Sequence, residues 1–365
     1  MVSKSGAWPG AAFAVAAAVL FGASTPLAKL LLRDGLTPEL LAGLFYLGSG
    51  VGLGFAFLGR RAFAPGAAGE ARLRRADLPQ LGLAVLLGGG LAPVLMMAGL
   101  ARTSAAAASL LQNLEGLATM AIAWIAFREN VDRRLLAGAL AILAGAAVLS
   151  FTGRGILGGG GLGGAHPATG ALLIALACIA WGADNNLTRP LAKADPVQIT
   201  ALKGLAAGSV NVALAFATGA RLPSIGAVLA AGTIGFFAYG VSLVLYVLGL
   251  RHLGAARTAA YFSTAPFIGS ALAVALLAEP VGLRLAAAGA LMAAGVYLHL
   301  TERHEHLHHH EALEHAHRHV HDAHHQHTHG PADPPGEPHS HWHRHEPLTH
   351  SHPHYPDLHH RHDHP

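Results

Sequence analysis

The chain has 365 residues, 52% of them hydrophobic and only 12% charged, with a net charge of +4. That balance excludes an ordinary water-soluble domain, in which about 25% of residues are charged, and the abundance of Ala, Leu and Gly suits helices packed closely in lipid. The charge is unevenly spread: 20 of the 24 Lys and Arg, but only 10 of the 20 Asp and Glu, precede Glu302, whereas 24 of the 27 His follow it. A single cysteine, Cys178, excludes an intramolecular disulfide.

A bilayer core about 30 Å thick takes roughly 20 apolar residues of helix. Ten segments meet that need: 10–32, 39–59, 79–101, 104–127, 133–151, 169–190, 196–218, 224–250, 257–278 and 283–301. The first follows Lys4 and lacks a clear small-residue cleavage site, so it reads as a retained span. Pro38, Pro196 and Pro223 stand near helix starts, where a missing N–H costs little. Gly48, Gly50, Gly52 and Gly54 in the second segment favour close packing within the bundle over a dimer contact. Between segments, fourteen Lys and Arg fall on the side of the N-terminus and six on the other. This bias puts both termini in the cytoplasm of a cell whose inner membrane holds the protein.

The fourth segment carries the polar residues that matter most, because intramembrane ionisable groups are expensive. Gln112, Glu115 and Thr119 share one helical face, with Asn113 about 100° away. Glu115 can take up a proton, pair with a cation, or form an ion pair with Lys29 or Lys203. In the sixth segment Asp184, Asn185 and Asn186 follow Trp181-Gly182, and their counterparts in the first lie near Ser24, Thr25 and Pro26. Asp184 can instead pair with Arg189 at the membrane surface. Lys29 and Lys203 read as cations that snorkel to an interface. Tyr261, Ser263 and Thr264 in the ninth segment match the Leu111–Leu114 region of the fourth and either face the same interior or bond between helices. Glu129 and Glu279, at helix ends, read as structural.

Soluble-enzyme patterns fail on context. Gly153, Gly155 and Gly158 match GxGxxG but follow a membrane helix rather than a strand. No GxxxxGK[ST] occurs, so no ATP-driven motor is visible in this chain. The charges between the spans fit topology rather than nucleic-acid binding.

The chain repeats itself. At an offset of 150, Gly99 matches Gly249, Leu100 matches Leu250, Glu129 matches Glu279 and Gly145 matches Gly295. Two consecutive five-helix halves must enter the membrane in opposite senses, as in many secondary transporters. The halves, the fourth helix ending in Arg128-Glu129, and Ala278-Glu279-Pro280 closing the ninth resemble the EamA-type transporters of the drug/metabolite transporter superfamily. The resemblance covers residues 10–301 and implies an all-α integral membrane protein of ten helices in two inverted repeats that transports, often exports, a small metabolite. The repeats span 1–152 and 169–301, joined by a Gly-rich linker at 153–168. Pro266 stands like the proline of that family's fourth and ninth helices, but the first half has Gly116 instead, which implies a straighter fourth helix.

Residues 302–365 change character. Pro and polar residues deny this tail a packed core, so it is disordered or, in its first part, continues the tenth helix. As helix, His304/His308, His306/His310, His315/His319 and His317/His321 meet on one face. His339, His341, His343 and His345 alternate along a flexible chain. Neutral imidazole suits Zn, Ni, Co and Cu; protonation near pH about 6.5 gives a rival, pH-responsive use. His304-Glu305 with His308 matches HExxH, a match such density makes by chance.

The leading expectation is therefore a non-enzymatic secondary transporter, monomeric or homodimeric, with no required cofactor and a cytoplasmic tail that senses or buffers metal. Candidate substrate or coupling residues are Thr25, Gln112, Asn113, Glu115, Asp184, Asn185, Asn186, Tyr261, Ser263 and Thr264. Candidate tail ligands are His304, His308, His315, His319, His339, His341, His343 and His345. The alternatives are a divalent transition-metal transporter and a membrane-tethered metal buffer without flux.

Overall fold

A computed structural model of the chain describes residues 4–63, 75–127, 133–150, 167–188, 195–253, 255–301, 305–310, 313–319, 339–345 and 348–353. Up to Thr301 the described residues are helical apart from their connections. The first half contains α1 (Lys4–Arg33), α2 (Pro38–Phe63), α3 (Leu78–Ala84), α4 (Ala92–Arg102), α5 (Ala105–Leu111), α6 (Leu114–Phe127) and α7 (Arg133–Ser150). The second contains α8 (Pro167–Thr188), α9 (Pro196–Ala217), α10 (Ile225–Gly235), α11 (Ser242–Leu253), α12 (Ala255–Phe262), α13 (Ala265–Leu277) and α14 (Leu283–Leu300). Among the described residues nine helical stretches are long and apolar enough to cross a membrane. The other predicted span, 104–127, is occupied by α5 and α6.

Local chemistry sets the helix ends. The Ser104, Asp195 and Ser224 side chains accept hydrogen bonds from Ala107, Val197 and Ala227 N–H groups, satisfying donors that have no partner inside their helices. After α1 the chain turns at Gly35, with φ +94°, and Leu36 N–H returns to Leu31 O at 3.2 Å. A left-handed residue after a helix favours glycine, and the returning bond closes the helix end.

The two halves are alike in their irregularities as well as their spans. Wider, π-helical turns occur at Val85–Leu91, between α3 and α4, and at Phe236–Val241, between α10 and α11. Turns at Gln112-Asn113 and Ser263-Thr264 interrupt the fourth and ninth helices. Pro266 stands in the first turn of α13 and explains the second interruption. The straighter fourth helix expected from Gly116 is not found. There Asn113 Nδ2 donates to Leu110 O at 2.8 Å, and this local bond stabilises a turn in place of the proline.

Equivalent helices from the two halves lie against each other and run antiparallel. In α2 and α9, a Cβ on Gly43 would meet Val212 and one on Gly50 would meet Gly204 and Leu205. In α7 and α14, His299 Nε2 bonds Leu135 O at 3.0 Å, while Arg284 Nη2 donates to Val148 O at 3.0 Å. The predicted bundle contact through Gly48, Gly50 and Gly52 is present; Gly54 meets nothing within 4 Å. A Cβ on Gly50 would come within 2.7 Å of the Gly204 carbonyl carbon, so this crossing demands glycine on both sides. Buried Leu, Ala and Met side chains continue from α1 and α2 through α4 to α8 and α14 as one core.

The linker at 153–166, with its GxGxxG match, lies outside the described residues, as do Arg128, Glu129, Arg189 and His304. Tail residues form strands β1 (Glu305–His310), β2 (Leu313–His319), β3 (His339–His345) and β4 (Leu348–Pro353). Antiparallel pairs join β1 with β4 and β2 with β3. The expected helical continuation is thus replaced over these strands. His at every second position gives period-two alternation, which favours extended backbone. Extended residues i and i+4 stand about 13 Å apart along a strand, so the helical spacing assumed for His315 and His319 does not apply.

Candidate functional site

The polar interior begins where helix geometry leaves carbonyls free. The first π turn exposes Gly88 O, which accepts from Tyr46 Oη at 2.7 Å and from Trp181 Nε1 at 3.0 Å. Gly89 O accepts from Asn211 Nδ2 at 3.0 Å. A wide turn loosens the regular ladder, and such turns recur at functional sites. Here α2, α8 and α9 all converge on one turn through its carbonyls.

Directly beside that turn, Asp184 of α8 and Lys203 of α9 form an ion pair. The other Asp184 oxygen accepts from Thr188 Oγ1 at 3.1 Å. A Cβ on Gly88 would sit 2.0 Å from Asp184 Oδ2, so the carboxylate lies hard against a turn that only glycine leaves open. Lys203 therefore serves Asp184 and does not snorkel. A cation in the low-dielectric interior gains more from a facing carboxylate than from a long reach to water.

Glu115, in the first turn of α6, is half-buried and accepts from Asn185 Nδ2 at 3.0 Å. The same Asn185 amide donates to Thr119 Oγ1 at 3.1 Å, and Thr119 Oγ1 donates to Glu115 O at 2.9 Å. Asp184 and Lys203 both act electrostatically on Glu115. The Asp184–Lys203 pair is neutral, so an ionised Glu115 leaves this group with a net −1. That imbalance in a membrane interior is what an incoming proton or cationic group can correct.

Aromatic side chains border the group. Tyr46 and Tyr239 have ring centroids 5.5 Å apart, and Phe262 stacks edge-on against Tyr246 at 4.9 Å. Tyr239, in the second π turn, lies beside Ser24. Both π turns therefore contribute to the same interior.

The other candidates are placed as follows. Gln112 Nε2 donates to Thr25 Oγ1 at 2.8 Å, and both residues are buried, joining α1 to the break in the fourth helix. Asn113 turns instead to Leu110 O and, at 3.8 Å, to Met292 Sδ. Asn186 Nδ2 donates to Thr119 O at 3.0 Å and Gly182 O at 2.8 Å, clamping α8 to α6. Ser263 and Thr264 hydroxyls donate to Ala260 O and Tyr261 O at 2.8 and 2.6 Å, closing the end of α12. Tyr261 is exposed. The alternative of a Glu115 ion pair with Lys29 is not realised. Lys29 is buried and donates to Leu100 O at 2.6 Å and Thr103 O at 2.7 Å. It covers the C-terminal carbonyls of α4, where positive charge is favoured, so it does not snorkel either.

Glu279 caps a helix from outside it: its Oε1 and Oε2 each accept at 2.8 Å, from Ala105 and Ala106 N–H. A buried carboxylate over two free N–H groups holds the start of α5 firmly. Sequence reasoning missed Tyr46, Asn211 and Tyr239. The Gly88-Gly89-Gly90 run between leucines was the available signal for the first two. Among the described residues of the helical body no three His, Cys, Asp or Glu gather as a metal site.

Residues 8–151 and 168–301 each match the EamA-like transporter family model. The chain belongs to the EamA-like transporter family. This EamA-like chain is 28% identical over 302 residues to an uncharacterized transporter of Methanothermobacter thermautotrophicus, covering 78% of this chain and 84% of that protein. Its fold also resembles a solved crystal structure with a TM-score of 0.55 at 21% identity, over 81% of this chain and 95% of that one. Family and fold together make it a multi-pass membrane transporter.

Proposed function

We propose that the EamA-like body is a secondary transporter, acting as an exporter of a small metabolite, in which Glu115 carries the coupling proton. The observation that supports this best is the cluster of Glu115, Asn185, Asp184 and Lys203, built from α6, α8 and α9 against a π turn. It offers an acceptor, an amide and an ion pair that a solute can exchange for its own polar groups. Asn185 is exposed and Glu115 half-buried, so this face is reachable while the Asp184 carboxylate behind it is not.

Ten crossings in two inverted repeats fit the antiparallel seating of α2 on α9 and α7 on α14. An odd number of spans per half reverses the next half. Rocking of one half against the other then opens the cluster to either side in turn. The inner membrane and cytoplasmic termini follow from the Lys and Arg bias. The repeats at 1–152 and 169–301 form the transport unit, with 153–168 as connection and 302–365 as a metal-responsive tail. The tail binds Zn, Ni, Co or Cu and modulates rather than transports, because no metal-ligand group occurs in the described body.

Proteoliposomes loaded with a metabolite mixture and divalent metals test this. The expected result is loss of at least one metabolite through the full chain, and retained flux after residues 303–365 are deleted. No solute movement overturns the transport reading. Metal movement that requires the tail favours a metal transporter instead.

A further inference from the structure

We infer that the tail binds its metal between paired strands, at cross-strand histidine pairs that the β2–β3 register creates. This rests on the metal-binding reading of the tail and specifies where on it the ion sits. In the antiparallel register His315 stands opposite His343, His317 opposite His341, and His319 opposite His339. The residues between them pair Glu314 with Arg344, Ala316 with Trp342 and Arg318 with Ser340. Successive strand residues belong to opposite faces, so the three His–His positions share one face and the intervening positions share the other. The second ladder repeats the pattern with His306 opposite His352 and His308 opposite His350.

Residues directly opposite on antiparallel strands have Cβ atoms roughly 4.5–5.5 Å apart, a separation that two imidazoles can bridge through one ion. Two adjoining positions, His315·His343 and His317·His341, supply four imidazoles within one two-residue step. Neutral nitrogen ligands of that number select Zn, Ni, Cu or Co over Mg or Ca. The sequence alone supports the same segregation, since HSHWHRH alternates His with other residues throughout and LEHAHRH does so from His315 onward, with Leu313 in the remaining place on that face. A purely flexible chain needs no such matching of two distant segments. Metal held across the ladder also stabilises the pairing, because binding and folding free energies are linked.

The test uses the full chain in detergent, titrated with Zn²⁺ and Ni²⁺ by calorimetry. One variant replaces the ladder face, H315A/H317A/H341A/H343A. A control replaces four histidines outside the strands, H324A/H325A/H327A/H329A. The ladder variant should bind its first equivalent roughly a hundredfold more weakly, the scale of a lost multivalent advantage, while the control stays near wild type. Equal loss in both variants, or none in either, overturns the register and leaves a tail that binds through interchangeable histidines. Absence of binding by the wild-type chain overturns the metal reading itself.

Discussion

Single residues separate into those that hold the fold and those free to exchange partners. Glu279 belongs to the first kind: both oxygens are engaged by the N–H groups of α5 and its carboxylate is buried. Glu279→Ala should cost about 1–3 kcal/mol, the scale of leaving buried donors unsatisfied, read as a lower thermal unfolding midpoint in detergent. Glu279→Gln keeps the size but removes the charge and one acceptor, so it should lie between the two. Its structural role was legible, because a carboxylate beside Pro280 at a helix end has few other uses. Lys29 was not legible in the same way. A lone cation in an apolar helix does not reveal which carbonyls it will meet 71 residues away, and Leu100 O is one of them. Asp184 and Lys203 were each singled out in the sequence, but their union depends on how α8 and α9 approach.

At the scale of elements, the decisive features are departures from regular helix. The spans were legible because hydrophobic length is a strong signal, and the repeat was legible from residues at matched offset. The π turns were not, since they are as apolar as the helix around them and only the Gly88-Gly89-Gly90 run marks the first. Their positions set the site: Gly88 O gathers Tyr46 and Trp181, and the missing Cβ admits Asp184. Gly88→Ala must displace that carboxylate from Lys203. Flux should fall roughly tenfold or more, as small misplacements at a working site do, with a stability loss of about 1–3 kcal/mol from overpacking. Paired flux and thermal-unfolding measurements check both effects. The break in the fourth helix teaches the same lesson. Proline marks it in α13, whereas an Asn113 side chain that bonds its own backbone does the equivalent work in the first half.

For the whole molecule, two similar halves meet across pairs of equivalent helices, and the polar cluster is not shared equally between them. Glu115 has no acidic counterpart, since the offset of 150 falls on Ala265. A symmetric scaffold thus carries an asymmetric cluster, and the proposed coupling through Glu115 rests on that asymmetry. The most direct measurement is solute flux driven by an imposed pH gradient in proteoliposomes, comparing the wild-type chain with Glu115→Gln. The amide keeps the side-chain size and one acceptor for Asn185 but cannot carry a proton. The account predicts that wild-type flux follows the gradient, while the variant still exchanges solute across the membrane and no longer responds to the gradient. A variant that matches the wild type in both rate and pH profile contradicts it.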